Sequence, residues 1–413
     1  MTVVSSIYCL PSDILDEGPS CVIKNVIERA GVSGVTVAAA YHASSDVYPH
    51  NPLRVVATTD PGVFYRSDGA GYVDDGLQPT ASITAAGRDV LEEACSAGGR
   101  FGVKVSAWVV FLHRDDLKLG SSAFQVNCFG DRLVGSICPA NPRVRRYVLA
   151  MTKELCSYPI STLRAESLHY HGVLHGSHHE RCLERLGEVT MLLLGLCFCM
   201  SCRSRAAREG LDVSRLVERC KRYVRGVLDA PGLSVSSSNG ELPADTDIDD
   251  LLAYMRVRAA TVTSLASEVS EMSLRLGVRL TFVDQTIPMS SFATGSGFCP
   301  ENDISCWKLG VDQGSLARSG VTVEAPVYLA QAAEFQSAID WYRQRVPDTD
   351  GLSIVLRPGR PDIGSDGELT EKIAYGVAAG CGEINFYAYG LYRLHALDSI
   401  KVALARAGVP PDV

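Results

Sequence analysis

Short apolar runs and longer amphipathic stretches alternate along the whole chain, and the alternation predicts eight strands separated by helices. Residues 3–10, 34–41, 102–112, 160–167, 278–285, 321–328, 352–357 and 383–389 read as strands, bounded by Gly, Asp, Asn or Pro. Between them the apolar spacing changes to three and four. The clearest helix is 245–276, where Ile248, Leu251, Met255, Ala259, Val262, Leu265, Val269, Met272 and Leu276 share one periodicity and Gly277 ends it. Asn141-Pro142 reads as an N-cap followed by Pro at the first helical position, opening a helix to residue 155. Further helices are predicted over 16–30, where Gly31 is the stop, and over 84–97, 330–345, 368–379 and 391–407. A small hairpin is expected from 53–57 and 62–65, turning at Asp60-Pro61-Gly62.

Eight βα units in series imply a closed (β/α)8 TIM barrel, since each crossover is right-handed and the last strand can pair with the first. The rival is an open doubly wound sheet. No Gly-rich phosphate loop follows the first strand, which argues against a dinucleotide fold. One domain over 1–413 is expected, with insertions at about 43–83 and 168–244. The Ser-Ser-Ser-Asn-Gly turn at 236–240 is too brief for a domain linker.

Bulk properties narrow the partners. The 413 residues are 46% hydrophobic and 21% charged, with net charge −8, which suits one large barrel and argues against a nucleic-acid binder. The densest basic stretch, 143–146 with Arg132 nearby, reads as a solvated helix face. The apolar run 189–200 is too short to span a bilayer and is broken by Gly195. Residues 2–10 lack the basic start and cleavage site of a secretory leader. Fourteen cysteines without such a leader point to the reducing cytoplasm. The helix at 245–276 offers a face for a homodimer.

In such a barrel the strand ends carry the chemistry. Here they place Tyr41, His42, Asp46, His113, Asn127, Glu166, His169, His171, Asp284, Glu324, Tyr328, Arg357, Asp362 and Tyr387 on one rim. Carboxylates and amides bind hydroxyls, and aromatic faces stack on the C–H side of a sugar ring, so the ligand expected is a small carbohydrate. Glu166 follows an apolar run, and a desolvated carboxyl there suits a general acid. The alternative for it is an internal salt bridge with Arg164 or Arg357. Asp284, Glu324 or Asp362 would supply the base or nucleophile. His42, His113, Asn127, His169, His171, Tyr328, Arg357, Asp362 and Tyr387 would contact the ligand. His169, His171, His175, His178 and His179 also suggest a metal site, although their spacing matches no strong signature.

A second cluster is sharper. Cys197-x-Cys199-x2-Cys202 follows Glu166 by about thirty residues, and Cys138 stands just before the helix opened by Asn141-Pro142. Four thiolates in this arrangement close a tetrahedral structural zinc site. The alternative is a set of buried thiols on an apolar helix, with Cys128 and Cys182 as substitute ligands.

These motifs resemble the zinc-containing β-galactosidases of glycoside hydrolase family 42. There a cysteine before the third barrel helix joins a C-x-C-x2-C group placed after the acid/base glutamate. Cys138 in SICPANPRVRRYV, Cys197, Cys199 and Cys202 in CFCMSC, and Glu166 in LRAESLHYH match those positions. The segments YHASSDVYPHNP and ESLHYHGVLHGSHHE are also similar to uncharacterised actinobacterial barrel proteins. Retaining glycosidases of the large clan place asparagine before the acid/base and a glutamate at the end of strand seven. Ala165 and LSIVLRPGRPD stand there instead. The resemblance therefore implies the barrel and zinc more directly than the double-displacement reaction.

Three functions follow as expectations. The first is a glycoside-hydrolase-like enzyme acting on a glycoside or sugar-derived metabolite. The second is a lyase, epimerase or isomerase using the His-rich rim or a metal. The third is a non-catalytic carbohydrate-binding barrel.

Overall fold

Alternation within each strand separates an outer face packed on helices from an inner face lining a lumen. The computed structural model describes residues 3–72, 76–174, 181–183, 186–229, 248–288, 304–347 and 351–409. Its barrel strands are β1 (Val4–Cys9), β2 (Gly34–Tyr41), β3 (Lys104–Val110), β4 (Thr162–Glu166), β5 (Arg279–Val283), β6 (Thr322–Pro326), β7 (Leu352–Leu356) and β8 (Glu383–Phe386). They pair in parallel in chain order, and β8 closes on β1 from Val4↔Glu383 to Ile7↔Phe386. The expected closed (β/α)8 barrel is what forms. The open sheet is excluded by that last pairing.

Leu163, Ala165, Val323, Ala325, Ile354, Leu356, Ile384 and Phe386 face outward and are fully buried against the helices. Each large aliphatic or aromatic side chain so buried contributes about 1.5–3 kcal/mol. The intervening positions point inward. Arg164 on β4 donates to Glu324 on β6 at 2.6 Å and to Glu383 on β8 at 2.8 Å. Those strands are not its neighbours in the sheet, so both bonds cross the interior.

The helix Pro142–Leu155 begins as expected, with the Asn141 side chain accepting the Arg143 N–H at 2.9 Å. The long helix Ile248–Arg275 also forms, and Gly277 follows it at φ 78°. Elsewhere local chemistry moved the boundaries. The expected helix at 16–30 starts early, at Pro11–Glu17, because Asp13 Oδ2 accepts the Leu10 N–H at 2.8 Å. Gly18 breaks it, and Pro19–Asn25 continues into a widened turn, Val26–Ala30, that Gly31 closes at φ 64°. The helix expected at 84–97 is Val90–Phe101, since the Asp89 side chain caps the Glu92 N–H.

The expected hairpin is replaced by a different one. Ser44–Val47 pairs antiparallel with Val56–Thr59, while Gly62–Val63 pairs with the end of β2. The backbone oxygen of Thr80 lies 2.4 Å from where a Gly62 side chain would begin, so only glycine lets the segment at 80–82 run against Gly62–Val63. Another hairpin, Phe124–Val126 with Arg132–Ile137, lies in the loop after β3.

After β4 come the helices Glu188–Gly195, Met200–Arg208 and Val213–Leu228. They bury Leu192, Leu196, Phe198, Val217 and Val224 with Leu251, Tyr254 and Met255 of the long helix, forming a smaller core beside the barrel. No single helix among the described residues is long and apolar enough to cross a membrane.

Candidate functional site

The four cysteines converge. Cys138 Sγ lies 3.4 Å from Cys202 Sγ, 3.6 Å from Cys199 Sγ and 3.8 Å from Cys197 Sγ, and all four sulfurs fall within 4.8 Å of one another. A disulfide needs about 2.05 Å. A metal about 2.3 Å from each of four sulfurs would separate them by about 3.8 Å, so the spacing fits a metal ion and not a crosslink. Local structure explains the convergence. Cys199 is the N-cap of Met200–Arg208, which places Cys202 in the first turn, where backbone N–H groups favour negative sulfur. Val126 N–H from the neighbouring hairpin donates to Cys197 Sγ at 3.4 Å, and Tyr170 Oη lies 3.4 Å from Cys202 Sγ. Hydrogen bonds from the other three thiols hold Cys199 far below the ordinary thiol range, whereas burial raises Cys138. The group can therefore hold a metal ion. Cys128 instead packs in the smaller core and Cys182 is exposed, so neither substitutes as a ligand.

Glu166 closes β4, and the next residue, Ser167, takes a left-handed φ of 54° that turns the chain at the rim. Trp108 Nε1 on β3 donates to Glu166 Oε2 at 2.6 Å. Around this pair stand aromatic rings: Tyr8 at 5.1 Å, Tyr41 at 4.7 Å and Tyr387 at 5.9 Å from Trp108, with Tyr328 5.9 Å from Tyr387. Burial in this cup pushes the Glu166 carboxyl up to about 7, against the opposing pull of the Trp108 N–H and His113. A carboxylic acid in that range can deliver a proton near neutral pH. The salt-bridge alternative for Glu166 does not form, because Arg164 engages Glu324 and Glu383.

The other expected carboxylates are placed differently. Glu324 is fully buried in the lumen, accepting from Arg164, Ser353 Oγ at 3.1 Å, Asn385 Nδ2 at 2.6 Å and the Tyr8 hydroxyl. Asp284 points out of the barrel. It accepts from Thr286 Oγ1 at 2.6 Å, Gln313 Nε2 at 2.7 Å and Tyr342 Oη at 2.9 Å, and the last two belong to surrounding helices. Asp284 is thus a helix-layer anchor and not a mouth carboxylate, because residue parity along β5 turns it outward. Asp362 is clamped by Arg357 through two bonds of 2.5 and 2.7 Å, and that guanidinium also covers the Tyr328 ring at 4.6 Å. Asn127 is another correction: its side chain accepts the Phe129 and Asp131 N–H groups and donates to Asp131, engaging it within its own hairpin turn.

The expected histidines line up along the rim of β2 to β4. Tyr41 stacks on His42 at 4.1 Å, His42 on His113 at 5.1 Å, and His171 lies 6.0 Å from His113 and 5.2 Å from His169. Asp115 accepts from His113 Nε2 at 2.8 Å. Burial lowers His42 and His169, so their rings are neutral at pH 7. His169 Nε2 is buried with no hydrogen-bond partner. Among the described residues, the four cysteines form the group whose ligand atoms converge tightly enough for a metal. His175, His178 and His179 lie outside the described residues. Sequence reasoning passed over Tyr8 and Trp108 as site residues; their inward parity on β1 and β3 was the available signal.

Comparison with solved structures agrees with the barrel. The catalytic domain of a β-amylase from Paenibacillus polymyxa is similar over 98% of this chain and 97% of that one, with a TM-score of 0.56 and 10% identity. A chitinase from Chromobacterium violaceum is similar over 98% and 99% of the two chains at 9% identity, with a TM-score of 0.43. An L-ribulose 3-epimerase is similar over 99% and 95% at 8% identity, with a TM-score of 0.42. At these values the β-amylase likeness establishes the (β/α)8 fold and the other two carry no argument. No family model matches the chain, and no curated protein matches it. The family 42 resemblance therefore rests on the cysteine and glutamate motifs alone.

Proposed function

We propose that this chain is a glycoside-hydrolase-like enzyme acting on a glycoside or sugar-derived metabolite, with Glu166 as its general acid. One observation carries the reading: a carboxyl pushed up to about 7 sits at a barrel strand end inside an aromatic cup, held by Trp108 Nε1 at 2.6 Å. In the reaction Glu166 gives its proton to the glycosidic oxygen as the bond to the anomeric carbon breaks. The partly exposed rings of Tyr41, Tyr328 and Tyr387 take the C–H side of the sugar and exclude water. His42, His113 and Tyr387 supply hydrogen bonds to hydroxyls, and Arg357 with Asp362 forms a rigid wall beside Tyr328. The test is a panel of aryl glycosides assayed with wild type and Glu166→Gln. A loss of about 100-fold or more in kcat is expected; equal turnover removes Glu166 from the mechanism.

The metal proposed for Cys138, Cys197, Cys199 and Cys202 is zinc. Bound to four thiolates it has no open position, so it supplies structural cross-linking and no reaction step. The four cysteines tie the loop before Pro142–Leu155 to the segment opening Met200–Arg208, and Tyr170 carries this anchor toward the Glu166 loop. One zinc per chain is expected by elemental analysis, lost in Cys199→Ser with a lowered Tm. Metal-free wild type of unchanged Tm would sink the assignment.

A second reading is an epimerase, isomerase or lyase of a sugar-like intermediate. The row His42, His113, His171 and His169, with the unpartnered His169 Nε2, favours it. It predicts a second metal or a proton-transfer activity lost when His42, His113 or His171 is changed.

A further inference from the structure

We infer that Asp46, on the hairpin that follows β2, is the second carboxylate of the site and acts as the base that activates water opposite Glu166. The inference rests on the glycosidase reading. The other carboxylates expected at the site are already engaged. Glu324, Asp284 and Asp362 each accept several hydrogen bonds, and Asp115 is held by His113. Asp46 accepts from Ser44 Oγ at 2.7 Å and keeps partial exposure, so lone pairs remain for a water molecule.

Hairpin geometry aims it at the cup. Along Ser44–Val47 the residues alternate between partly buried and exposed, and along Val56–Thr59 between exposed and buried. Asp46 pairs directly with Ala57, and Ser44 with Thr59, so these four share the inner face. Ala57 and Tyr48 belong to the same packed cluster as Tyr8 and Trp108, with Tyr41, Tyr328 and Tyr387 against it. Val47 and Val56 occupy the opposite, exposed face.

Electrostatics supports the placement. Tyr41 and Tyr387 both feel the negative charges of Glu166 and Asp46. The charges acting on Glu166 itself are those of His113 and Glu324. Both carboxyls therefore act on one tyrosine pair. In this role a sugar and a water would lie between the two carboxyls, and inversion is the expected outcome. In the step, the water oxygen bonds to the anomeric carbon while the bond to the leaving oxygen breaks. Asp46 takes a proton from the water and Glu166 gives one to the leaving group, so charge and atoms balance.

The experiment uses the full chain, a panel of glycosyl fluorides, and aryl glycosides of graded leaving-group pKa. Asp46→Asn is expected to lower kcat by about 100-fold or more to a similar degree across all leaving groups. The loss in Glu166→Gln should instead grow with leaving-group pKa. Proton NMR of the first-formed product should show the inverted anomer. Asp46→Glu, which moves the carboxyl by one methylene, covers the case in which the amide variant folds poorly: it should fold and lose at least tenfold. Wild-type turnover with Asp46→Asn equally active, or a product of retained configuration, overturns the role of Asp46 and leaves Glu166 standing. No wild-type turnover of any fluoride or aryl glycoside overturns the glycosidase reading, and this inference with it.

Discussion

Arg164 and Glu166 lie two positions apart on β4 and share its inward parity, yet their surroundings are opposite. Arg164 is 3% exposed and its charge is answered: Glu324 and Glu383 neutralise it through both terminal nitrogens, Arg279 joins Glu383, and Asn385 and Ser353 complete the network. Burial alone would raise the Glu383 carboxyl, but Arg164 and Arg279 outweigh it and hold it below the ordinary range. One strand layer up, Glu166 has no cation bonded to it and a single indole donor, and its carboxyl rises to about 7. A buried charge with matched partners is structural; a desolvated acid with no cation bonded to it is available for proton transfer. The contrast teaches that residue type and burial alone do not distinguish a scaffold ion from a reactive one. The balance of partners does.

That contrast can be broken most severely in the lumen. Arg164→Met leaves Glu324 and Glu383 buried with less compensation and is expected to cost about 3–5 kcal/mol, read by chemical denaturation. A change under 1 kcal/mol would mean that the network is not structural. Glu166→Gln should do the reverse, with activity falling by about 100-fold or more and stability maintained. Because the folded carboxyl titrates higher than the unfolded one, its ionised form opposes folding as pH rises from about 4.5 toward 7. The Gln variant should thus be more stable than wild type at pH 8, by about 1–3 kcal/mol, with the gap closing below pH 5.

The two regions should also separate by pH. The acid form of Glu166 is lost above about 7, so kcat/KM falls on the alkaline side. Glu383 is shifted downward, so its contribution is present above its unfolded value and lost only as pH falls through its folded one. Activity should therefore vanish at alkaline pH while far-UV circular dichroism stays native; concurrent unfolding would refute the separation. The smallest expected effect is in Trp108→Phe. Removing the donor that favours the carboxylate should move the alkaline limb of the pH profile up by about one unit. An unmoved or lowered limb would show that the indole does not govern Glu166.

Much of this was legible along the chain. The eight strands, the Asn141-Pro142 helix start, the long helix and the cysteine spacing all arise from local periodicity and capping, which involve neighbours in sequence. The positions of Tyr41, His42, His113, His169, His171, Tyr328 and Tyr387 near one rim followed from those strand ends. What failed were readings that depended on which way a side chain turns or on who its distant partner is. Asp284 sits at a strand end, but parity sends it into the helix layer. Asn127 has the chemistry of a ligand contact, but its own turn occupies it.

The sequence alone determined the order of strands and helices, and so the closed parallel barrel, because apolar period and crossover handedness leave few alternatives. It also determined that a C-x-C-x2-C group and a cysteine before the Asn141-Pro142 helix start could supply four thiols. Only the folded chain decided that those sulfurs meet within 4.8 Å, that Arg164 answers Glu324 and Glu383, and that Glu166 is left to Trp108. The physical reason is that charge balance and desolvation depend on distances between residues far apart in the chain, and barrel closure sets those distances.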